Sequence, residues 1–490
     1  MTNPTYSHVP VVRRLLADVD TPVSVYLKLA NQPYSYLFES VEGGERWGRF
    51  SIIGLPCAER VEVRGRSVRH VKPSDDGSVG EETFEVENPL DWIDDYRQQF
   101  SAAPLADMPM LTGGLVGYFG HETVSYIEKR LATTPKPDAV NAPDIMLMLS
   151  TELVVFDNLS GRMHLIVHAD AGDANGQAKA EQRLDELQQQ LSQPLPKGYR
   201  TELGQASKEA DFVSSFGEDA FKASVEHIRQ YITDGDAMQV VPSQQLSADF
   251  SGDPVNVYRA LRTLNPSPYM YLLNMDDFHV AGASPEILVR AQAGEITVRP
   301  IAGTRKRGAN EQEDQALEAD LLADPKEVAE HLMLIDLGRN DVGRVSHTKT
   351  VEVTDQMVVE RYSHVMHIVS NVKGQLKDGM GPIDALKSTF PAGTLSGAPK
   401  IRALEIIDEV EPVKRGIYGG AVGYIAWNGD MDTAIAIRTA VIKDGKIYAQ
   451  AGAGVVYDSQ PQLEWEETMN KARAVMTAAG MAEDVTRVAK

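Results

Sequence analysis

Residues 418–454 constrain the fold most. They run YGGAVGYIAW, NGD, MDTAIAIRTAVI, KDGK and IYAQAGAG, three apolar strand-like runs separated by two short turns. Asn428-Gly429 and Asp444-Gly445 are hairpin signals, because tight turns need the positive φ that Asn, Asp and Gly tolerate. A chain that commits to this meander commits to an antiparallel sheet. On the second strand Arg438 is expected to share a face with Ala434, Ala436 and Ala440. That leaves room above the sheet for a bound carboxylate or for an internal acid partner. A two-residue turn would pair Tyr418 with Thr439. A three-residue loop, Trp427 to Gly429 with Gly429 left-handed, would set Tyr418 opposite Arg438, and that is the expected register.

The 490 residues, 42% hydrophobic and 24% charged, suffice for two domains or one large one. The net charge of −22 argues against nucleic-acid or anionic-membrane binding, so an anionic substrate would need local cations. Cys57 is the only cysteine, which excludes an internal disulfide framework and fits a reducing cytoplasm. No secretory pattern opens the chain, and no apolar run reaches the roughly 18 residues of a membrane span. A soluble cytoplasmic enzyme is expected. Strand-like runs at 23–27, 111–118 and 152–156 precede a polar amphipathic helix at 178–191. Residues 194–214 are rich in Pro, Gly, Lys, Glu and Ser, suggesting a boundary between regions 1–205 and 215–485. Helical and strand patterns mix without regular β-α alternation, so the expected class is α+β.

Several stretches carry residues suited to chemistry. RPIAGTRKRG (299–308) reads as a basic, glycine-bearing loop, yet it has neither glycine spacing of the phosphate-binding motifs. A surface turn with solvated cations is the plainer account. Asp324-Pro325-Lys326-Glu327 has the form of a helix start, with Asp324 as cap and Glu327 at the third position. Glu330 falls between Met333, Leu334 and Leu337 on a mostly apolar helix, and a carboxylate so buried is costly unless paired or metal-bound. In LEWEETMNKARAVM (463–476), Trp465, Met469, Ala472 and Met476 form the apolar stripe, with Glu464, Glu467 and Lys471 nearly opposite. A solvated face with one Glu467–Lys471 pair would explain that face. Two E-x-x-E pairs would also supply the hard oxygen ligands that Mg²⁺ takes. Thr394 or Ser396 in TFPAGTLSGAPK would cap a helix or offer an anion site. His367 lies in a strand-like apolar stretch, where a structural role is the commoner one.

In order, RPIAGTRKRG, EHLMLIDLGRNDVGR, FPAGTLSGAPK, the YGG…IAIRTA hairpin, AGAG and EWEETMNKA resemble the motifs of the chorismate-utilising enzymes. Among these, the chain is most similar to the large, chorismate-binding subunits (component I) of anthranilate synthases. The stretch YLFESVEGGERWGRFSIIG extends the resemblance into a regulatory N-terminal region. The resemblance implies an α/β-sandwich with stacked, largely antiparallel sheets flanked by helices, and an active site in the C-terminal part. It implies Mg²⁺ held by Glu330 and Glu467, with Glu327 and Glu464 acting through water or from behind. The metal would bind the ring carboxylate of chorismate beside Gly452, Ala453, Gly454 and Lys471. Tyr418 and Arg438 would hold the enolpyruvyl carboxylate, and Gly303 and Thr304 would line the ring. Glu286 in ASPE resembles the general acid for the departing C4 hydroxyl, His367 the residue associated with pyruvate loss, and Thr394 belongs with this catalytic group.

Two positions bear on the reaction. Isochorismate and salicylate synthases use a water-activating lysine where this chain has Gln239, which disfavours water attack. Aminodeoxychorismate synthases commonly carry a lysine where this chain has Ala302. The resemblance therefore implies that ammonia adds at C2, displaces the C4 hydroxyl, and is followed by pyruvate elimination to anthranilate in tryptophan biosynthesis. Pro242 cannot donate to a sheet ladder and suggests a bulge. Cys57 in GLPCAER lacks the tight turn of a glutaminase nucleophile. Ammonia is therefore expected from a separate glutamine amidotransferase subunit in a hetero-oligomer. Glu39, Ser40, Pro268, Tyr269 and Met270 resemble an inhibitory L-tryptophan site, although strand-end capping and a proline turn would also explain them. The alternatives are an aminodeoxychorismate synthase making the 4-amino product, and an inactive tryptophan-binding regulator.

Overall fold

The computed structural model describes residues 6–41, 49–73, 79–131, 135–199, 202–204, 212–362 and 365–483. Part of the N-terminal motif, 42–48, lies outside them. Two eleven-stranded sheets organise the chain. The first takes His8–Leu16, Ser35–Glu39, Phe50–Gly54, Glu152–Asp157 and Arg162–Asp170 from the N-terminal part. It joins them to Tyr269–Asn274, Phe278–Ser284, Thr439–Lys443, Lys446–Gly452 and Ser243–Asp249, with Val213–Ser214 at one edge. The second combines Gly114–Phe119, Ile145–Ser150, Arg60–Arg64, Ser67–Pro73 and Val79–Glu85 with Ala421–Ala426, Met431–Ile435, Ile287–Gln292, Glu295–Val298, Val372–Gln375 and Glu352–Val353. The expected division at 205–215 therefore does not divide the hydrogen-bonded sheets, each of which draws strands from both sides of it.

Strand alternation sorts the side chains into layers. Tyr271 and Leu273 join Tyr36, Tyr118 and Val422 in a core between the sheets. Met270 and Leu272 point the other way, toward Leu184, Tyr258 and Met476 on helices Gly176–Leu191, Pro254–Leu264 and Pro461–Glu483. The outer face of the second sheet packs on Ile335, Leu386 and Leu404 of helices Pro325–Val345, Pro382–Thr389 and Lys400–Val410. The result is the expected α+β sandwich of stacked antiparallel sheets flanked by helices.

The meander at 418–454 is where the sheets join. Ile425 pairs with Met431 and Ala421 with Ile435, around the loop Trp427–Gly429 with Gly429 at φ 86°. The three-residue loop is thus present, and Ala436 N–H still donates to the Gly420 carbonyl at 2.9 Å. The second run is not one strand. Met431–Ile435 belongs to the second sheet and Thr439–Lys443 to the first, with Arg438 at φ 51° between them. Arg438 therefore leaves the ladder instead of sharing a strand face with Ala434, Ala436 and Ala440. The 299–308 stretch also differs from expectation. Ile301–Lys306 is a strand paired with Val365–Val369, and its register shifts between Ala302 and Arg305.

Candidate functional site

The junction of the sheets brings together segments distant in sequence. Gln239–Val240 pairs with Gly397–Ala398, and the chain breaks at Val241 and Pro242 before entering the first sheet at Ser243. Pro242 thus marks an interruption, not a bulge, and its carbonyl accepts from Ala453 N–H. Gln239 is buried and donates to Glu330 at 3.2 Å. A Cβ on Gly454 would lie 2.8 Å from Gln239 Nε2 and 4.0 Å from Glu330 Oε1, so glycine is what lets these groups approach. From the other helix, Lys471 Nζ donates to the Gly452 carbonyl at 3.0 Å. A Cβ on Gly452 would lie 3.0 Å from the Tyr418 hydroxyl. Gln239, Glu330, Tyr418, Lys471 and the 452–454 backbone therefore form one wall.

A second wall is built on Ile301–Lys306. Gly303, at φ 69°, occupies the bulge, and a Cβ there would meet Leu321 at 3.0 Å and Glu327 at 3.2 Å. This turn aims the Gly303 carbonyl at His367 Nδ1, 2.8 Å away, with Thr304 Oγ1 at 3.1 Å. A carbonyl can only accept, so Nδ1 carries the proton and Nε2 holds the lone pair. Burial lowers the His367 pKa to about 4, leaving the ring neutral near pH 7. Tyr362, which the sequence reading missed, packs edge-on against His367 with centroids 5.6 Å apart. Its only sequence signal is its position beside the His367 strand.

Glu286 is buried, and burial pushes its carboxyl up to about 8 against the pull of Thr394, Arg438 and Lys471. Burial also lowers the Arg438 pKa, opposed by attraction to Glu286 and Tyr362. Thr394 sits in the short turn Gly393–Leu395, while Ser396 Oγ donates back to the Ala392 carbonyl at 2.9 Å. Neither residue caps the helix Lys400–Val410, contrary to the capping reading.

Both acidic stretches are helical, as Pro325–Val345 and Pro461–Glu483. Asp324 caps Pro325–Val345 as expected, accepting from Lys326 and Glu327 N–H. Glu330 is only partly buried, because Gln239 and the 454 backbone cover one side of it. Glu464 is buried, not solvated, since Pro461–Glu483 turns Glu464, Thr468 and Ala472 inward together. Burial and then the neighbouring Glu330 raise the Glu327 carboxyl. Burial raises Glu464, with Glu467 acting in the same direction. Glu467 pairs with Lys471 at 2.7 Å. Among the described residues no three His, Cys, Asp or Glu side chains converge as a ready-made metal cage. The donor set is two carboxylate pairs with an excess of negative charge, a chemistry that fits a hard divalent cation such as Mg²⁺. The three arginines of 299–308 are paired with carboxylates of this chain. Arg305 pairs with Asp320 and Asp324, Arg307 with Asp314, and Arg299 with Glu360.

Comparison with known proteins decides the family. The chorismate-binding enzyme profile matches residues 61–477. Anthranilate synthase component 1 of Pseudomonas aeruginosa is 57% identical over 480 residues, 98% of this chain and 96% of that one. This chain belongs to the chorismate-binding enzymes, in the anthranilate synthase component 1 group. Component 1 of Aquifex aeolicus is 47% identical over 98% of this chain and 96% of its own length. The crystal structure of component I from Streptococcus pneumoniae superposes with a TM-score of 0.78 at 37% identity, covering 95% of this chain and 99% of that one. The menaquinone-specific isochorismate synthase of Escherichia coli shares the fold, with a TM-score of 0.70 at 18% identity, covering 97% and 96%.

The other sequence-derived residues gather where the strands Ser35–Glu39 and Tyr269–Asn274 meet. Glu39 and Met270 are ladder partners on the helix-facing side of the first sheet. Glu39 is buried and accepts from Tyr258 Oη at 2.5 Å and Arg262 Nε at 3.0 Å. Tyr269 points to the opposite face and hydrogen-bonds Asp432 and Arg290. Pro268 and Ser40 flank these strand ends. No described helix is long and apolar enough to cross a membrane.

Proposed function

We propose that this chain converts chorismate and ammonia to anthranilate and pyruvate through 2-amino-2-deoxyisochorismate, the first committed step of tryptophan biosynthesis. The observation that carries this reading is a buried acid, Glu286, sharing one site with a neutral imidazole, His367, in a chain with no lysine at 239 or 302. A carboxyl with pKa about 8 holds its proton near pH 7 and can donate it to the departing C4 oxygen. His367 commits Nδ1–H to Gly303, so Nε2 can take a proton as pyruvate leaves. Arg438 and Tyr418 offer a guanidinium and a phenol to the enolpyruvyl carboxylate. Glu330 and Glu467, backed by Glu327 and Glu464, would hold Mg²⁺, which when bound neutralises the ring carboxylate and steadies the developing negative charge.

Cys57 is buried, and burial pushes its thiol up to about 12. Such a thiol is not an available thiolate, which supports a separate glutamine amidotransferase subunit as the source of ammonia. The pure chain with chorismate, Mg²⁺ and ammonium is expected to produce fluorescent anthranilate, and with glutamine in place of ammonium none. Glutamine-dependent product from the pure chain would exclude a partner requirement.

L-Tryptophan is the proposed feedback inhibitor, bound near the Glu39–Met270 ladder pair. Ser40→Phe, by bulk, and Met270→Thr, by a lost apolar contact, are each expected to raise the inhibiting concentration at least about tenfold, equivalent to ~1.4 kcal/mol of binding. Inhibition curves superimposable on the parent in both variants would rule out this location.

A further inference from the structure

The least exposed ion pair in the site region belongs to neither wall. Glu411 and Arg415 are 4% exposed each, with Arg415 Nη2 and Glu411 Oε1 2.6 Å apart. Beyond their mutual contact, the pair's hydrogen bonds run to segments that carry site residues. Arg415 Nη2 donates to the Val241 carbonyl at 2.7 Å, two residues after Gln239. Arg415 Nη1 donates to the Leu395 carbonyl at 2.7 Å, next to Thr394. Glu411 Oε1 accepts from Ser243 N–H at 2.7 Å and Ser243 Oγ at 2.8 Å. Ser243 is the ladder partner of Gly452. The guanidinium carbon also lies 5.6 Å from the centre of the Tyr418 ring.

We propose that Glu411 and Arg415 are positioning residues, a buried clamp that sets the Gln239, Thr394, Tyr418 and Gly452 segments in mutual register for turnover. Neither touches the proposed substrate space directly; Tyr418 and the backbone intervene. A hydrophobic pair of equal volume is often no less stable than a buried ion pair, so stability alone gives this pair little reason to exist. What an apolar pair cannot do is hold two carbonyls and a serine at fixed angles. Lysine cannot do it either, because a point-charge ammonium lacks the planar fork. The inference rests on the chorismate reading. The two fail separately: a parent enzyme without turnover sinks the reading, whereas the inference is tested by variants of an active parent.

The experiment compares Arg415→Lys, Arg415→Ala and Ser243→Ala with Arg402→Met, which breaks exposed pairs on the helix Lys400–Val410 that precedes the clamp. Loss of register by about an ångström costs on the order of 100-fold in rate. Arg415→Lys and Arg415→Ala are expected to lower kcat by about that factor, with KM changed less than about threefold. Ser243→Ala, which removes the hydroxyl that donates to Glu411 and accepts from Gln450 Nε2, should lower kcat about tenfold. Arg402→Met should match the parent. Arg415 lines a cavity of about 150 Å³ beside His121, so millimolar guanidinium is expected to enter Arg415→Ala and restore part of kcat. The clamp is overturned if Arg415→Lys keeps kcat within about threefold, if folded Arg415→Ala gains nothing from guanidinium, or if Ser243→Ala turns over at the parent rate. The last comparison holds even where the Arg415 variants do not fold.

Discussion

Glu286→Gln is expected to lower kcat for anthranilate formation by about a thousandfold, within the range set by losing a general acid, with a smaller change in KM. Glutamine keeps the shape and a hydrogen-bond donor but has no proton to give the C4 oxygen. The pH dependence carries the sign. The Glu286 carboxyl sits at about 8 because burial penalises its charged form, so the parent's rate should fall as pH rises through about 8. That limb should vanish in the variant. The parent's stability should fall with rising pH as well. With the folded pKa raised, the native state binds more protons than the unfolded chain between its ordinary range and about 8. The parent thus loses stability as pH rises through that window, and the glutamine variant does not. A variant that is both less active and less stable at pH 8 would point to a structural role for Glu286.

Glu330→Gln and Glu467→Gln are expected each to lower activity by at least about a hundredfold at millimolar Mg²⁺ and to raise the Mg²⁺ concentration needed for half-maximal rate. Chelator should abolish turnover by the parent, and added Mg²⁺ should restore it. Removing one negative charge should also relieve its neighbour. Mg²⁺ titration of the parent, followed by calorimetry without substrate, gives a readout independent of turnover. Equal Mg²⁺ affinity in the parent and both variants would remove these glutamates from the metal site.

Local rules reached some of this molecule and missed the rest for identifiable reasons. Asn428-Gly429 gave the hairpin loop and the local register, decided within a few residues, but the expected Tyr418–Arg438 pairing does not form because the ladder ends at Ala421 and Ile435. The break at Arg438 was invisible, because 431–442 is continuously strand-like and only the second sheet's position forces the crossing. Asp324 was readable as a cap, a local event. The charges of Arg299, Arg305 and Arg307 were misleading by themselves. Asp320, Asp324, Asp314 and Glu360, which neutralise them, are brought in by tertiary folding. Glu464 was assigned to the wrong side, as a helix packed on several sides blurs the periodic stripe. Gly303, Gly452 and Gly454 came only with the family resemblance. The structure supplies the reason for them, since each lets a side chain or carbonyl approach closer than a Cβ permits. Glu411 and Arg415 had i,i+4 spacing in plain sight, but that spacing usually marks a weak surface pair, and only their burial sets them apart.

The central claim is that an amine, delivered at C2 without a lysine nucleophile, leads to pyruvate loss within this one site. Incubating the purified chain with chorismate, Mg²⁺ and ammonium, and resolving the aromatic products by chromatography with mass detection, tests it most directly. The predicted result is anthranilate and pyruvate in equal amounts, with no 4-amino isomer. Accumulation of 4-amino-4-deoxychorismate, or tryptophan binding with no turnover at all, would contradict it.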